Sequence, residues 1–236
     1  MKKIIFALVI LALTVPSFSQ QKENETVSEV KELNGFHDVI YSIWHTGWPE
    51  KDIKLLSSVL PDLTKNYNAV MKAKLPGILR DKQAKWGEGL KKFSAFYEDY
   101  KTAVEKKDSV GLLNAAEKLH MQYEMLARVI KPKLPEVDAF HQVLYSLHHY
   151  YMPENKTAKI KESVALLKEK AALIPNAKLS AKQKAKEEEF KKLTAALTDA
   201  VNKLDSMLKS GADKKKLAAA EDAMHSRYEE LEKVFD

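Results

Sequence analysis

The sequence predicts an all-α protein: a tandem internal repeat of two up-down-up-down four-helix bundles. Three observations predict it. The stretch Phe36-His37-Asp38-Val39-Ile40-Tyr41-Ser42-Ile43-Trp44-His45 returns 104 positions later as Phe140-His141-Gln142-Val143-Leu144-Tyr145-Ser146-Leu147-His148-His149. A second matched stretch, His120-Met121-Gln122-Tyr123-Glu124 against His225-Ser226-Arg227-Tyr228-Glu229, follows at an offset of 105. A repeat of this kind governs the reading of everything else. Composition is the third observation: seven Gly and eight Pro in 236 residues, amid abundant Ala, Leu, Lys and Glu, favour long helices with few turns.

The chain opens with an export signal over residues 1–19. Lys2 and Lys3 form a basic start, Ile4 to Val15 an apolar run, and Pro16-Ser17-Phe18-Ser19 a small-residue cleavage site. The run is shorter than the roughly 20 apolar residues a membrane span needs, and no later stretch reaches that length. The expected product is periplasmic or secreted, with no membrane span once the signal is removed. Cysteine is absent, so neither disulfides nor thiolate ligands contribute. Any metal would be held by His, Met, Tyr or carboxylate.

The first bundle is expected over residues 20–132. Val30, Leu33, Phe36, Ile40 and Ile43 recur at three and four, which predicts an amphipathic helix over about 27–46 that Gly47 and Pro49 end. A second helix covers about 50–74, with Pro61 kinking or restarting it. Helices over about 78–106 and 109–130 complete the unit. Pro132 and Pro135 mark the join. The second bundle, 133–236, repeats the plan over about 136–151, 154–173, 181–208 and 213–235, with Ser180 as an N-cap and Ser210-Gly211 as a break. Pairing Leu90 with Phe190 and Phe93 with Leu193 makes the spacing inside the repeat uneven.

The formal charge is +6, and removing Lys2 and Lys3 leaves +4. Basic residues interleave with acidic ones, as in Lys184 to Lys192, which describes a solvated helix face and argues against a nucleic-acid partner. No hydrolase elbow, phosphate loop or dinucleotide fingerprint occurs. The chemistry therefore points away from catalysis.

Six of the seven histidines form matched pairs: His37/His141, His45/His149 and His120/His225; His148 stands alone. In an up-down bundle the first and fourth helices are antiparallel neighbours. If Ser28 lies near Ile130, His37 faces His120 and Tyr41 faces Glu117. Glu117 and His120 share a helix face, as do Asp222 and His225. Each half is thus expected to hold one metal with His37, Tyr41, Glu117 and His120, or with His141, Tyr145, Asp222 and His225. These residue types suit zinc or copper foremost, then nickel or iron. His45, His148 and His149 are weaker candidates.

In size and plan each half resembles the exported four-helix cytochromes of the b562 type, which bind haem between residues on their first and last helices. That resemblance implies haem b and electron transfer, with His37/His120 and His141/His225 as axial pairs where a Met/His pair serves in those cytochromes. Ferritin-like di-iron bundles share the Glu-x-x-His run, yet they use two such runs and two further Glu per bundle, and each half here has one. A third reading, of a different class, is a non-catalytic helical scaffold that binds an envelope partner.

Overall fold

Apolar residues at three- and four-residue spacing make every long segment helical, and no strand occurs among residues 25–235, which the computed structural model describes. The export signal expected over 1–19 lies outside the described residues. Helix α1 (Lys31–Ser42) buries Leu33, Phe36 and Ile40. It runs directly into a wide turn, Ile43–Gly47, where the Trp48 N–H bonds to the Ile43 carbonyl at 2.8 Å. Such an i→i+5 step places one extra residue in the turn. After Lys51 (φ 53°), Asp52 caps α2 (Ile53–Ser58) by accepting from the Leu55 N–H. The chain breaks at Val59 and restarts as α3 (Leu60–Lys72) with Pro61 in its first turn, where a missing N–H costs nothing.

A 3-10 segment (Gly77–Lys82) leads to α4 (Gln83–Glu105) and α5 (Ser109–Ile130), the last capped by Asp108. The second half follows with α6 (Pro135–Ser146), its own wide turn (Leu147–Tyr151) and α7 (Thr157–Leu173). Ala165 stands where Pro61 would fall, so α7 is unbroken. A short α8 (Ala181–Lys184) carries a capping box between Ser180 and Gln183. Helices α9 (Glu187–Lys209) and α10 (Lys214–Lys233) close the chain, α10 capped by Asp213.

Helix bounds recur at one offset. The ends of α1 and α6, both bounds of α4 and α9, and the positive-φ residues Lys51 and Asn155 each lie 104 apart. Trp86 therefore matches Phe190 and Phe93 matches Leu197, which corrects the uneven spacing expected from the sequence. The one added residue falls in the turn before α10, Ser210–Asp213, against Lys106–Asp108.

Buried apolar residues form two clusters. One draws on residues 30–130, with Phe36, Leu63, Trp86, Phe93, Tyr100 and Leu119 at its centre; the other draws on residues 134–234, with Phe140, Leu167, Phe190, Leu197 and Met224. Tyr145 crosses into the first cluster. Helix α1 packs chiefly along α3 and α4 along α5, while α6, α7, α9 and α10 pack in that order. Helices α5 and α10 touch α1 and α6 only briefly. The 3-10 segment lies against α6: the Arg80 guanidinium donates to the Tyr145 hydroxyl at 2.7 Å and sits 5.1 Å from its ring centroid. A Cβ on Gly77 would come within 1.9 Å of that hydroxyl, so any side chain there would push the Tyr145 hydroxyl aside. No helix among the described residues is long and apolar enough to cross a membrane.

Phe36 is fully buried, edge-on to Phe93 at 5.1 Å and stacked on Tyr123 at 5.8 Å. Replacing it with Ala removes those contacts and leaves a cavity, at a cost of about 3–5 kcal/mol. Denaturant unfolding should show that loss, and an undiminished midpoint would contradict the packing.

Candidate functional site

The wide turns decide which side chains of α1 and α6 meet the last helix of each half. In the first half Trp44 stacks on His120, with ring centroids 4.2 Å apart and planes 6° from parallel. His37 instead neighbours Tyr123, at 6.2 Å. His37 thus stands seven residues, about 10 Å of rise, from Trp44, the residue that faces His120. Three residues, His37, Tyr41 and His45, run down one solvent-facing stripe, with Tyr41 and His45 4.5 Å apart. Glu117 is exposed. The expected first-half set of His37, Tyr41, Glu117 and His120 is spread over two levels.

The second half is assembled differently. His141 stacks on Tyr228 at 4.4 Å and Tyr145 neighbours His149 at 4.5 Å. His148, in Trp44's place, stacks on His225 at 4.4 Å. Its Nδ1 also hydrogen-bonds both oxygens of Glu221, at 3.0 and 3.2 Å. Glu221 is 2% exposed, and Asp222 beside it reaches the same point from the surface. Among the described residues, His148, Glu221 and Asp222 are the one His/carboxylate group whose ligating atoms all lie within 4.8 Å of one another. Asp222 belongs to the expected set and His148 to the weaker candidates. Glu221 was not among the expected ligands.

A buried carboxylate costs several kcal/mol unless its charge is answered. Burial raises the pKa of Glu221, with the neighbouring Asp222 adding to the rise and the His148 hydrogen bond opposing it. Burial lowers His225, and the adjacent His148 lowers it further. His149 is lowered to about 4 by burial, then by Arg80 and the neighbouring imidazoles. Neutral imidazoles keep their lone pairs available, as metal ligation requires.

Two cavities flank this row of rings. One of about 600 Å³ opens on His148, His149, Glu221 and Asp222, beside Met152 and Leu217. The other, about 490 Å³, lies between the 3-10 segment and α6, lined by Arg80, His141, Tyr145, His149, His225 and Tyr228. His149 borders both. Its counterpart His45 is exposed on the first-half stripe, because no described segment covers α1 as Gly77–Lys82 covers α6.

The matched positions explain why, among the described residues, only the second half brings such a His/carboxylate group together. Where α10 has Glu221, α5 has Ala116, and where α6 has His148, α1 has Trp44. The site uses residues that the repeat does not share. Comparison with protein-family models, curated proteins and solved structures finds no match for this chain.

His141 offers a pH test of the junction. Burial against Tyr228 lowers its pKa to about 4; Asp81 opposes the shift, while His225, Lys82 and His149 deepen it. The unfolded chain then binds a proton, between about pH 6.5 and 4, that the folded chain does not. This stability contribution is complete above pH 6.5 and is lost as pH falls to about 4. The melting temperature of His141→Asn should therefore fall less than that of the parent between about pH 7 and 4.5. Parallel pH profiles would contradict the burial.

Proposed function

We propose that this is an exported, duplicated helical-bundle protein that binds one divalent transition-metal ion in its second half, through His148, Glu221 and Asp222. The two units join near residues 132–133, and the shared helix offset and the two core clusters support that division. The N-terminal basic and apolar run over 1–19 supports export. Binding is non-catalytic in this reading.

The observation that carries the metal reading is the burial of Glu221 within reach of His148 and Asp222, where the matching helix has only Ala116. One imidazole and two carboxylates suit Zn²⁺ and also accept Cu²⁺ or Ni²⁺. A cation between them would answer both carboxylate charges and take the place of the proton in the His148–Glu221 hydrogen bond. The stacked His225 holds the His148 ring in position, the kind of support that metal-bound imidazoles receive from their surroundings.

This differs from a site in each half built on His37 with His120 and on His141 with His225, and from haem held between those pairs. His37 neighbours Tyr123 while His120 stacks on Trp44. His141 and His225 share Tyr228 and line one cavity, but His225 stacks on His148 and His141 on Tyr228.

Calorimetric titration of metal-stripped protein with Zn²⁺ should saturate near one equivalent. Glu221→Gln and His148→Asn should each weaken binding about tenfold or more, while His37→Asn and His120→Asn should leave it unchanged. Two equivalents, or loss of binding in the first-half variants, would move the site elsewhere. Absence of binding, with Glu221→Gln merely destabilised, would reduce His148 and Glu221 to a structural ion pair.

A further inference from the structure

Where the second half opens a cavity in front of the proposed metal site, the first half has two tryptophans. Trp44 and Trp48 occupy the positions of His148 and Met152. They pack on each other at 4.6 Å, and the Trp48 Nε1–H donates to the Leu113 carbonyl at 3.1 Å. Leu113 is the counterpart of Ala218, which lines the second-half cavity. Smaller side chains at both indole positions leave about 600 Å³ open, within the range of small-molecule pockets.

The lining is arranged in order along one face of α10. Lys214 and Lys215 stand at one end, Leu217 and Ala218 in the middle, and Glu221 and Asp222 at the other. Opposite the middle lie Met152, Ile160 and Leu208. Seven residues of helix separate the lysine end from the carboxylate end, about 10 Å of rise. The lysines oppose the local helix field: Lys214, Lys215 and Lys216 fill the first turn of α10, where cations are disfavoured. The matching turn of α5 has Ser109, Val110 and Gly111.

A three-residue metal site leaves coordination positions open to an incoming ligand. We propose that the cavity binds a linear organic dianion with an apolar middle, such as a medium-length dicarboxylate. One carboxylate completes the coordination of the metal held by His148, Glu221 and Asp222. The methylene chain lies between Leu217 and the wall of Met152, Ile160 and Leu208, and the second carboxylate meets Lys214 and Lys215. The proposal rests on the metal reading above. Without the cation, Glu221 and Asp222 would repel the first carboxylate, so metal and dianion bind together.

The probes are suberate, the shorter succinate and the monocarboxylate octanoate. Each is titrated into zinc-loaded and metal-stripped protein, with zinc binding measured separately. Suberate should bind the zinc-loaded form in preference to both comparison compounds, and bind the stripped form at least about tenfold more weakly. Lys214→Ala with Lys215→Ala, both on the exposed surface, should weaken suberate about ten- to a hundredfold and leave zinc affinity unchanged. Met152→Trp, which restores the indole of the first half, should block suberate while zinc still binds. If zinc binds but suberate shows no preference over succinate and octanoate, or ignores the lysines, the dianion pocket is overturned and the metal site stands. Equal suberate affinity with and without zinc likewise overturns it. If zinc itself does not bind, the metal reading fails and this one fails with it.

Discussion

An i→i+5 step in a helix rotates everything after it relative to everything before. Both Ile43–Gly47 and Leu147–Tyr151 take such a step, closed by the Trp48 and Met152 N–H groups. The residue carried toward the last helix is therefore Trp44 in one half and His148 in the other. All the site chemistry depends on that turn. With the same backbone, an indole at this position packs and an imidazole presents a nitrogen to Glu221.

Burial then makes the difference consequential. Glu221 sits at a position where α5 has a fully buried Ala116. A carboxylate there is tolerable only with partners, and His148, stacked on His225, is one of them. The polar group and the open space go together. Where Trp44 and Trp48 fill the volume, no charge is buried; where His148 and Met152 stand, the volume opens and Glu221 reaches its edge.

The two halves also differ in what covers them. Gly77–Lys82 lies on the α6 face, placing Arg80 on Tyr145 and burying Ile78 and Leu79. That cover turns the stripe of His141, Tyr145 and His149 into a cavity wall. On α1 the same stripe faces water. Identical residues at matched positions thus have different environments, and the lowered pKa values of His141 and His149 follow from the cover rather than from their local sequence.

Helical class, most helix ends and the 104-residue offset of the first helix of each half were legible in the sequence, because periodicity, caps and prolines act locally. That α4 and α9 keep the same offset appeared only in the structure. Asp52, Asp108, Ser180 and Asp213 cap the helices they precede, and Pro61 accompanies the break between α2 and α3. Six of the seven histidines could be matched in pairs from the sequence, and Asp222 and His148 could be named as candidates. The partners of each histidine were not legible. Matching favours residues that both halves keep, whereas the His/carboxylate group uses His148, the one histidine without a counterpart, and Glu221, whose counterpart is Ala116. Which side chains share a level depends on the wide turns and on α1 and α6 meeting the last helices only briefly. Those are properties of packing between distant segments, and only the tertiary structure decided them.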